Sequence, residues 1–303
     1  MFRNISWVSA ISIFRRGDSD IIRIYDIFSN LMKVTTGAKF LNLGFWNKEH
    51  DTPYQAQKRL TELLGEFGLF SFAHTILDVG SGYSLPAYTW LSKYPNIQVY
   101  CINSSFHQLK EANYACREVK NKSYYGIELV SISNLNQRIH HLNAISNLLP
   151  LRSNHFDRIV AFESAHHFRP LEIFVSDCSR LLKQNGLLIL AIPVITSERS
   201  RICRFLDLGI LNLTWASEHY TIRKVRFAIE NNGFKIIETK FIGPKVYQSL
   251  ANYYFNNLAE LRTKIVQEYP SVVEWILRKS ILRMKKASAS GKIEYLLIKS
   301  TKK

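Results

Sequence analysis

Acidic residues are scarce in this chain. Its 303 residues include 24 Asp and Glu against 40 Lys and Arg, a formal charge of +16. So one-sided a balance points to an anionic neighbour (nucleic acid, an acidic lipid surface or a negatively charged small molecule) or to a solvated basic face. Thirteen Gly and eight Pro are too few for a collagen-like or low-complexity chain. The four cysteines, Cys101, Cys116, Cys178 and Cys203, form no CxxC pair, which excludes a recognisable disulfide framework or zinc site and fits a reducing compartment. Long apolar runs are also missing. Between Arg3 and Arg15 lie eleven mostly apolar residues, far short of the roughly 20 needed to span a bilayer. That segment lacks a small-residue cleavage site and reads as an N-terminal helix lying on the domain or on a membrane surface. Internal repeats are absent. What the chain does have is bulk: 47% hydrophobic residues, with 18 Phe, 15 Tyr and 5 Trp, enough for a sizeable buried core.

Strand and helix patterns alternate along the middle of the chain. Thr52-Pro53-Tyr54-Gln55 predicts a helix start, with Thr52 as cap, Pro53 at the first helical position and Gln55 closing a capping box. Ala56, Leu60, Leu63 and Leu64 follow at helical spacing, ending near Gly68. Thr75-Ile76-Leu77-Asp78-Val79 reads as a buried strand opening into Gly80-Ser81-Gly82. Strands are then expected at 97–102, 158–162, 186–192 and 235–242, with helices at 106–118, 171–182 and 221–231. Two segments compete for the third strand, 127–132 and 138–144, and Leu149-Pro150 close behind favours the second. Residues 246–287 read as helical, aromatic and basic, and 292–299 as one last strand able to slot back into the sheet. Such alternation argues a parallel sheet with helices on both faces.

The informative segment is Asp78-Val79-Gly80-Ser81-Gly82-Tyr83-Ser84. Glycines after a buried strand let backbone approach a ligand where a side chain would collide. A dinucleotide fingerprint fails, because the last glycine position of G-x-G-x-x-G falls on Leu85, and no Walker motif occurs. An acid two residues before the first glycine suits a cofactor with an ammonium group, and the turn suits an uncharged adenosyl moiety.

With these residues the chain resembles the class I S-adenosylmethionine-dependent methyltransferases. Ile76-Leu77-Asp78-Val79-Gly80-Ser81-Gly82 looks like their first motif. Ile102-Asn103-Ser104-Ser105-Phe106-His107-Gln108 is similar to a stretch found in one subgroup. That subgroup holds the cyclopropane fatty acid synthases, sterol, tocopherol and phthiotriol methyltransferases, and sugar O-methyltransferases of the rebeccamycin type. Leu149-Pro150-Leu151 with Phe156-Asp157, Glu163-Ser164-Ala165-His166-His167 and Leu181-Leu182-Lys183-Gln184-Asn185-Gly186 resemble its later motifs in order. Tyr25-Asp26 and Leu41-Asn42-Leu43-Gly44-Phe45-Trp46 resemble its lid elements.

The resemblance implies an α/β fold: a Rossmann-like, doubly wound, seven-stranded and mostly parallel sheet with the last strand antiparallel. Residues 1–70 would form an N-terminal helical lid and 71–243 the cofactor-binding core. Residues 244–291 would be a helical cap insertion, and 292–303 the final strand with a basic tail. The implied cofactor is S-adenosylmethionine, held by Asp78, Gly80, Ser81, Gly82, Asn103, Ser104, Gln108, Asn143 and Ala144. Tyr25, Phe45 and Trp46 would belong to the lid over the substrate. Three residues depart from the usual pattern: Ser84 replaces the third glycine, Asn103 the acid that holds the ribose, and Asn143 the Asp of a "DA" pair. An amide without charge assistance implies weaker cofactor binding.

Methyl transfer from a sulfonium is an in-line displacement, so the enzyme mainly positions donor and acceptor. A hydroxyl acceptor needs a base, and histidine suits that near neutrality. His167 matches the family's recurrent histidine and is the expected base, with His166 as alternate. Glu163 would orient a histidine or contact acceptor or cofactor. In cyclopropane synthases the matching Glu and His hold a bicarbonate base, so C-methylation stays open beside O-methylation. His140-His141 reads as structural, and no metal is expected. Tyr247, Tyr253, Tyr254 and Phe255 wall an acceptor pocket or pack the cap. Residues 275–286, WILRKSILRMKK, read as a packed cap helix with basic edges; the competing reading is contact with anionic lipid. No (N/D)PP(Y/F) motif or RNA-binding module occurs, so a small-molecule or lipid-like acceptor is expected rather than nucleic acid. A catalytically silent binding protein is the reading from another class. The expected setting is cytoplasmic, with peripheral contact with an anionic membrane as a further expectation.

Overall fold

A computed structural model describes residues 30–37, 40–48, 50–118, 137–196 and 218–303. The N-terminal segment with Tyr25-Asp26, the competing strand 127–132 and Cys203 lie outside them. Helix α1 (Pro53–Phe67) begins on the full capping box: Gln55 N–H donates to Thr52 Oγ1, and Thr52 N–H donates back to Gln55 Oε1 at 2.9 Å. Four parallel pairings then build the sheet from β1 (Thr75–Val79), β2 (Gln98–Asn103), β3 (Ile139–Asn143), β4 (Phe156–Phe162) and β5 (Leu182–Ile195). Helices α2 (Leu85–Lys93), α3 (Phe106–Glu118) and α4 (Leu171–Leu181) connect them, and α5 (Ile222–Asn231) leads into β6 (Phe234–Phe241). A π-helical turn (Pro244–Gln248) and helices α6 (Ser249–Asn256), α7 (Leu258–Glu268) and α8 (Ser271–Ala289) follow before β7 (Ile293–Lys302).

The strand order is β3-β2-β1-β4-β5-β7-β6, and β7 runs antiparallel between β5 and β6. Apolar side chains fill both faces, one cluster around Leu60, Trp90, Phe162 and Tyr295, the other around Leu77, Ile159, Phe174 and Leu190. The third cluster belongs to α6–α8: Ala251, Tyr254, Leu261, Ile265 and Ile281 pack with Leu31 from the helical residues 30–36. Strand order reverses between β1 and β4. Ligands of open α/β sheets bind at the carboxyl ends of the strands beside such a reversal, which here brings together the residues after Val79, Asn103 and Phe162.

β5 runs longer than its apolar stretch predicts, through Pro193 to Ile195. Proline is normally excluded from a central strand because it cannot donate to the ladder. Pairing with β4 stops at Phe162 and Ala191, so Pro193 faces a neighbour, Tyr295 of β7, on one side only. Among the described residues, no helix is long and apolar enough to cross a membrane.

Candidate active site

The glycine turn is fixed by backbone bonds. Gly80 and Ser81 both donate their N–H to the carbonyl of Ile102, at 2.7 and 3.0 Å, which ties the end of β1 to the end of β2. Ser164 Oγ donates to the Val79 carbonyl at 2.5 Å and ties it to β4. Gly80 has φ +84°, and a Cβ there would overlap the Cβ of Ser164. Gly80→Ala is therefore expected to cost at least about 2 kcal/mol of folding stability, read as a lowered urea midpoint. Ser84 sits at φ +58°, a left-handed conformation that favours glycine, and α2 starts immediately after it.

Asp78 lies beneath this turn and is 1% exposed. Both carboxylate oxygens are buried with no hydrogen-bond partner, and burial pushes its pKa up to about 7. An orphaned buried carboxylate is costly unless something positive or donating meets it. An ammonium group is the ligand chemistry it fits.

At the end of β2, Asn103 Nδ2 donates to Gln108 Oε1 at 2.7 Å, while Gln108 Nε2 is buried without an acceptor. The pair therefore offers one acceptor, Asn103 Oδ1, and one donor, Gln108 Nε2. That is the complement of a hydroxyl pair, divided between two side chains rather than carried by Asn103 alone. Ser105 Oγ accepts the Gln108 N–H and starts α3. Asn143 Nδ2 donates to the carbonyls of Asn103 and Ser104, at 2.8 and 3.0 Å, and clips β3 to the end of β2. Ala144 follows, half-buried.

Segment 40–46 lies against this mouth. Leu41 Cδ1 lies 3.0 Å from where a Gly82 Cβ would stand. Leu43 N–H donates to Glu163 Oε1 at 3.1 Å, and Tyr295 of β7 donates its hydroxyl to the same oxygen at 2.8 Å. Glu163 thus ties segment 40–46 and β7 to the end of β4, and burial lifts its pKa to about 7 against those two donors. Phe45 donates its N–H to the Ala56 carbonyl. Trp46 is buried, donates its N–H to the Lys245 carbonyl at 3.0 Å, and packs its ring on Tyr253 at 5.0 Å. Tyr247 meets Tyr295, and Tyr254 meets Phe255 and Glu274.

His166 and His167 occupy a 3-10 turn (Ala165–His167) directly past β4, with ring centroids 3.9 Å apart. His166 is buried and His167 half-buried. Burial, then the neighbouring His167 and His219, hold the His166 pKa well below its usual value, so this imidazole stays neutral near pH 7. Residues 218–220 pack against this turn: Glu218 N–H donates to the His166 carbonyl, Glu218 pairs with Arg169, and Tyr220 Oη donates to the Phe168 carbonyl at 2.6 Å. His219 and Tyr295 escape sequence reading because each reaches the site by a crossing of the fold, and neither sits in a motif. His140 of β3 instead packs on Tyr100 of β2, and burial drops the pKa of its neighbour His141 to about 4. Among the described residues, no group of three or more His, Cys, Asp or Glu is arranged to hold a metal.

A family model described as "Methyltransferase domain" matches residues 77–190. The erythromycin 3''-O-methyltransferase of Saccharopolyspora erythraea is 22% identical over 250 residues, 78% of this chain and 75% of that protein. Methyltransferase GfsG of Streptomyces halstedii is 26% identical over 200 residues, 65% of this chain and 66% of its own length. Among solved structures, the cyclopropane synthase MmaA2 of Mycobacterium tuberculosis superposes with a TM-score of 0.74 at 16% identity, covering 95% of this chain and all of that one, and so shares the fold. The matched domain at residues 77–190 and these curated relatives support an S-adenosylmethionine-dependent methyltransferase.

Proposed function

We propose that the protein methylates a hydroxyl group of a hydrophobic small molecule, with His167 as the base. The observation that carries the cofactor half is the buried, unpartnered carboxylate of Asp78 under a glycine turn. The hydroxyl half is supported by the sequence relative that methylates an oxygen and by a histidine at the strand end where the resembling subgroup has one. When bound, S-adenosylmethionine supplies an electrophilic methyl group. Asp78 receives the amino group, and Asn103 Oδ1 with Gln108 Nε2 hold the ribose hydroxyls. Gly80 and Gly82 keep side chains out of the cradle. His167 accepts the hydroxyl proton as the acceptor oxygen becomes nucleophilic, and the lid residues Phe45 and Trp46 with the cap exclude water. In this reading residues 1–70 act as lid and 244–291 as cap, in a reducing cytoplasmic setting that suits the buried thiols Cys101 and Cys178.

C-methylation is the second reading. Its support is Glu163, a second group with a pKa near neutrality at the same mouth. Mass spectrometry of metabolites that gain a methyl group on overexpression decides between them: an O-methyl ether supports the first, a methylated carbon the second, and no methylated product overturns both. The amide pair makes a separate prediction. Asn103→Asp restores charge assistance to the ribose contact and is expected to tighten S-adenosylmethionine binding about tenfold, measured by isothermal titration.

A further inference from the structure

We propose that the outer face of α8 docks the protein on an anionic lipid surface. This goes beyond the methyl-transfer reading and does not depend on it. The helix has five cations, Arg278, Lys279, Arg283, Lys285 and Lys286, and one carboxylate, Glu274. That carboxylate is buried, with Tyr254 Oη at 3.3 Å and Arg278 at 3.4 Å, so it does not offset the outer charge.

Sequence spacing alone spreads the apolar residues of this segment around the helix; burial sorts them. Glu274, Ser280, Ile281, Met284, Ala287 and Ser288 turn inward. Val272, Trp275, Lys279 and Lys286 are exposed, and Leu282 and Arg283 half-buried. At 100° per residue these six fall within one stripe about 100° wide. Trp275 is 47% exposed, and Val266 on the preceding helix α7 is 43% exposed. A large aromatic ring interleaved with lysines is the composition of a helix lying in a membrane interface, where the ring enters the headgroup layer and the ammonium groups meet lipid phosphates. Nucleic acid would satisfy the lysines but leave Trp275 and Val272 in water, so lipid is the partner that fits both halves of the stripe.

The test is co-sedimentation of the full chain with phosphatidylcholine vesicles with and without phosphatidylglycerol. Binding is expected only with the anionic lipid, and it should weaken steeply with salt. At about fivefold per basic residue removed, Lys279→Ala with Lys286→Ala should weaken it roughly thirtyfold. Trp275→Ala should weaken it further, and brominated lipid should quench wild-type fluorescence more than that of Trp275→Phe. The proposal is overturned by absence of binding at low salt, by equal binding of the double variant, by unchanged quenching in Trp275→Phe, or by preference for a nucleic acid over the vesicles. Circular dichroism and unchanged S-adenosylmethionine affinity of each variant exclude misfolding as the cause of a loss.

Discussion

Asp78→Asn is expected to weaken S-adenosylmethionine binding by about two orders of magnitude while stabilising the ligand-free protein. Removing the ionised partner of an ammonium group forfeits a charge-assisted bond inside a buried site, about 1.5–3 kcal/mol. The stability change has the opposite sign. In the folded, ligand-free protein burial raises the carboxyl's pKa to about 7, against an ordinary value of 3.8. Between those values the native state holds more protons than the unfolded chain, so this group's contribution to stability falls as pH rises through that window. The full difference corresponds to roughly 4 kcal/mol. Glu163, lifted from 4.5 to about 7, adds a slope of the same sign, so Asp78→Asn flattens the acid-side profile without abolishing it. Cofactor affinity should also fall as pH drops below about 7 in the wild type, because Asp78 must lose its proton before it can pair with the ammonium group. The variant should not show that dependence. Isothermal titration and thermal melting on both sides of neutrality test the pair of effects. Equal affinity in wild type and variant would remove the ammonium group from this carboxylate.

The contrast between the glycine turn and the lid explains what a sequence can reveal here. Asp78, Gly80 and Gly82 stand within five residues, and their chemistry is local: a strand must end, a turn must open, and an acid must precede it. The capping box at Thr52 and Gln55 is equally local. The choice of 138–144 for the third strand follows from its distance to Leu149-Pro150, and the strand forms there as β3. Glu163 is different. Its residue type and position after β4 were legible, but its partners Leu43 and Tyr295 are 120 and 132 residues away. No periodicity reports a contact of that range, so the bonds that tie Glu163 to Leu43 and to β7 are visible only in three dimensions. Asn103 and Gln108 are an intermediate case: their motif spacing was legible, whereas the direction of the amide bond between them, which decides which atoms remain to meet a ligand, is visible only in three dimensions.

His167→Ala is expected to lower turnover by about 10²–10⁴ while leaving S-adenosylmethionine affinity within about twofold of wild type. The half-buried ring of His167 lies against the buried ring of His166, past the carboxyl end of β4. A cation on His166 is disfavoured by burial and by two neighbouring histidines, so His166 is the poorer proton acceptor of the pair. His166→Ala should accordingly act mainly by loosening the packing of His167: a smaller loss of turnover, with part of the defect recovered by the ring-sized His166→Phe. A base role also dictates that turnover of wild type falls on the acid side as the acceptor imidazole becomes protonated, and that this limb disappears in His167→Ala. Rapid-quench measurement of a single methyl transfer, made at saturating cofactor, isolates the chemical step from binding. A loss smaller than about threefold, with the acid limb intact, would take the proton away from His167 and transfer the role to Glu163, whose buried carboxyl is raised to about 7 at the same mouth.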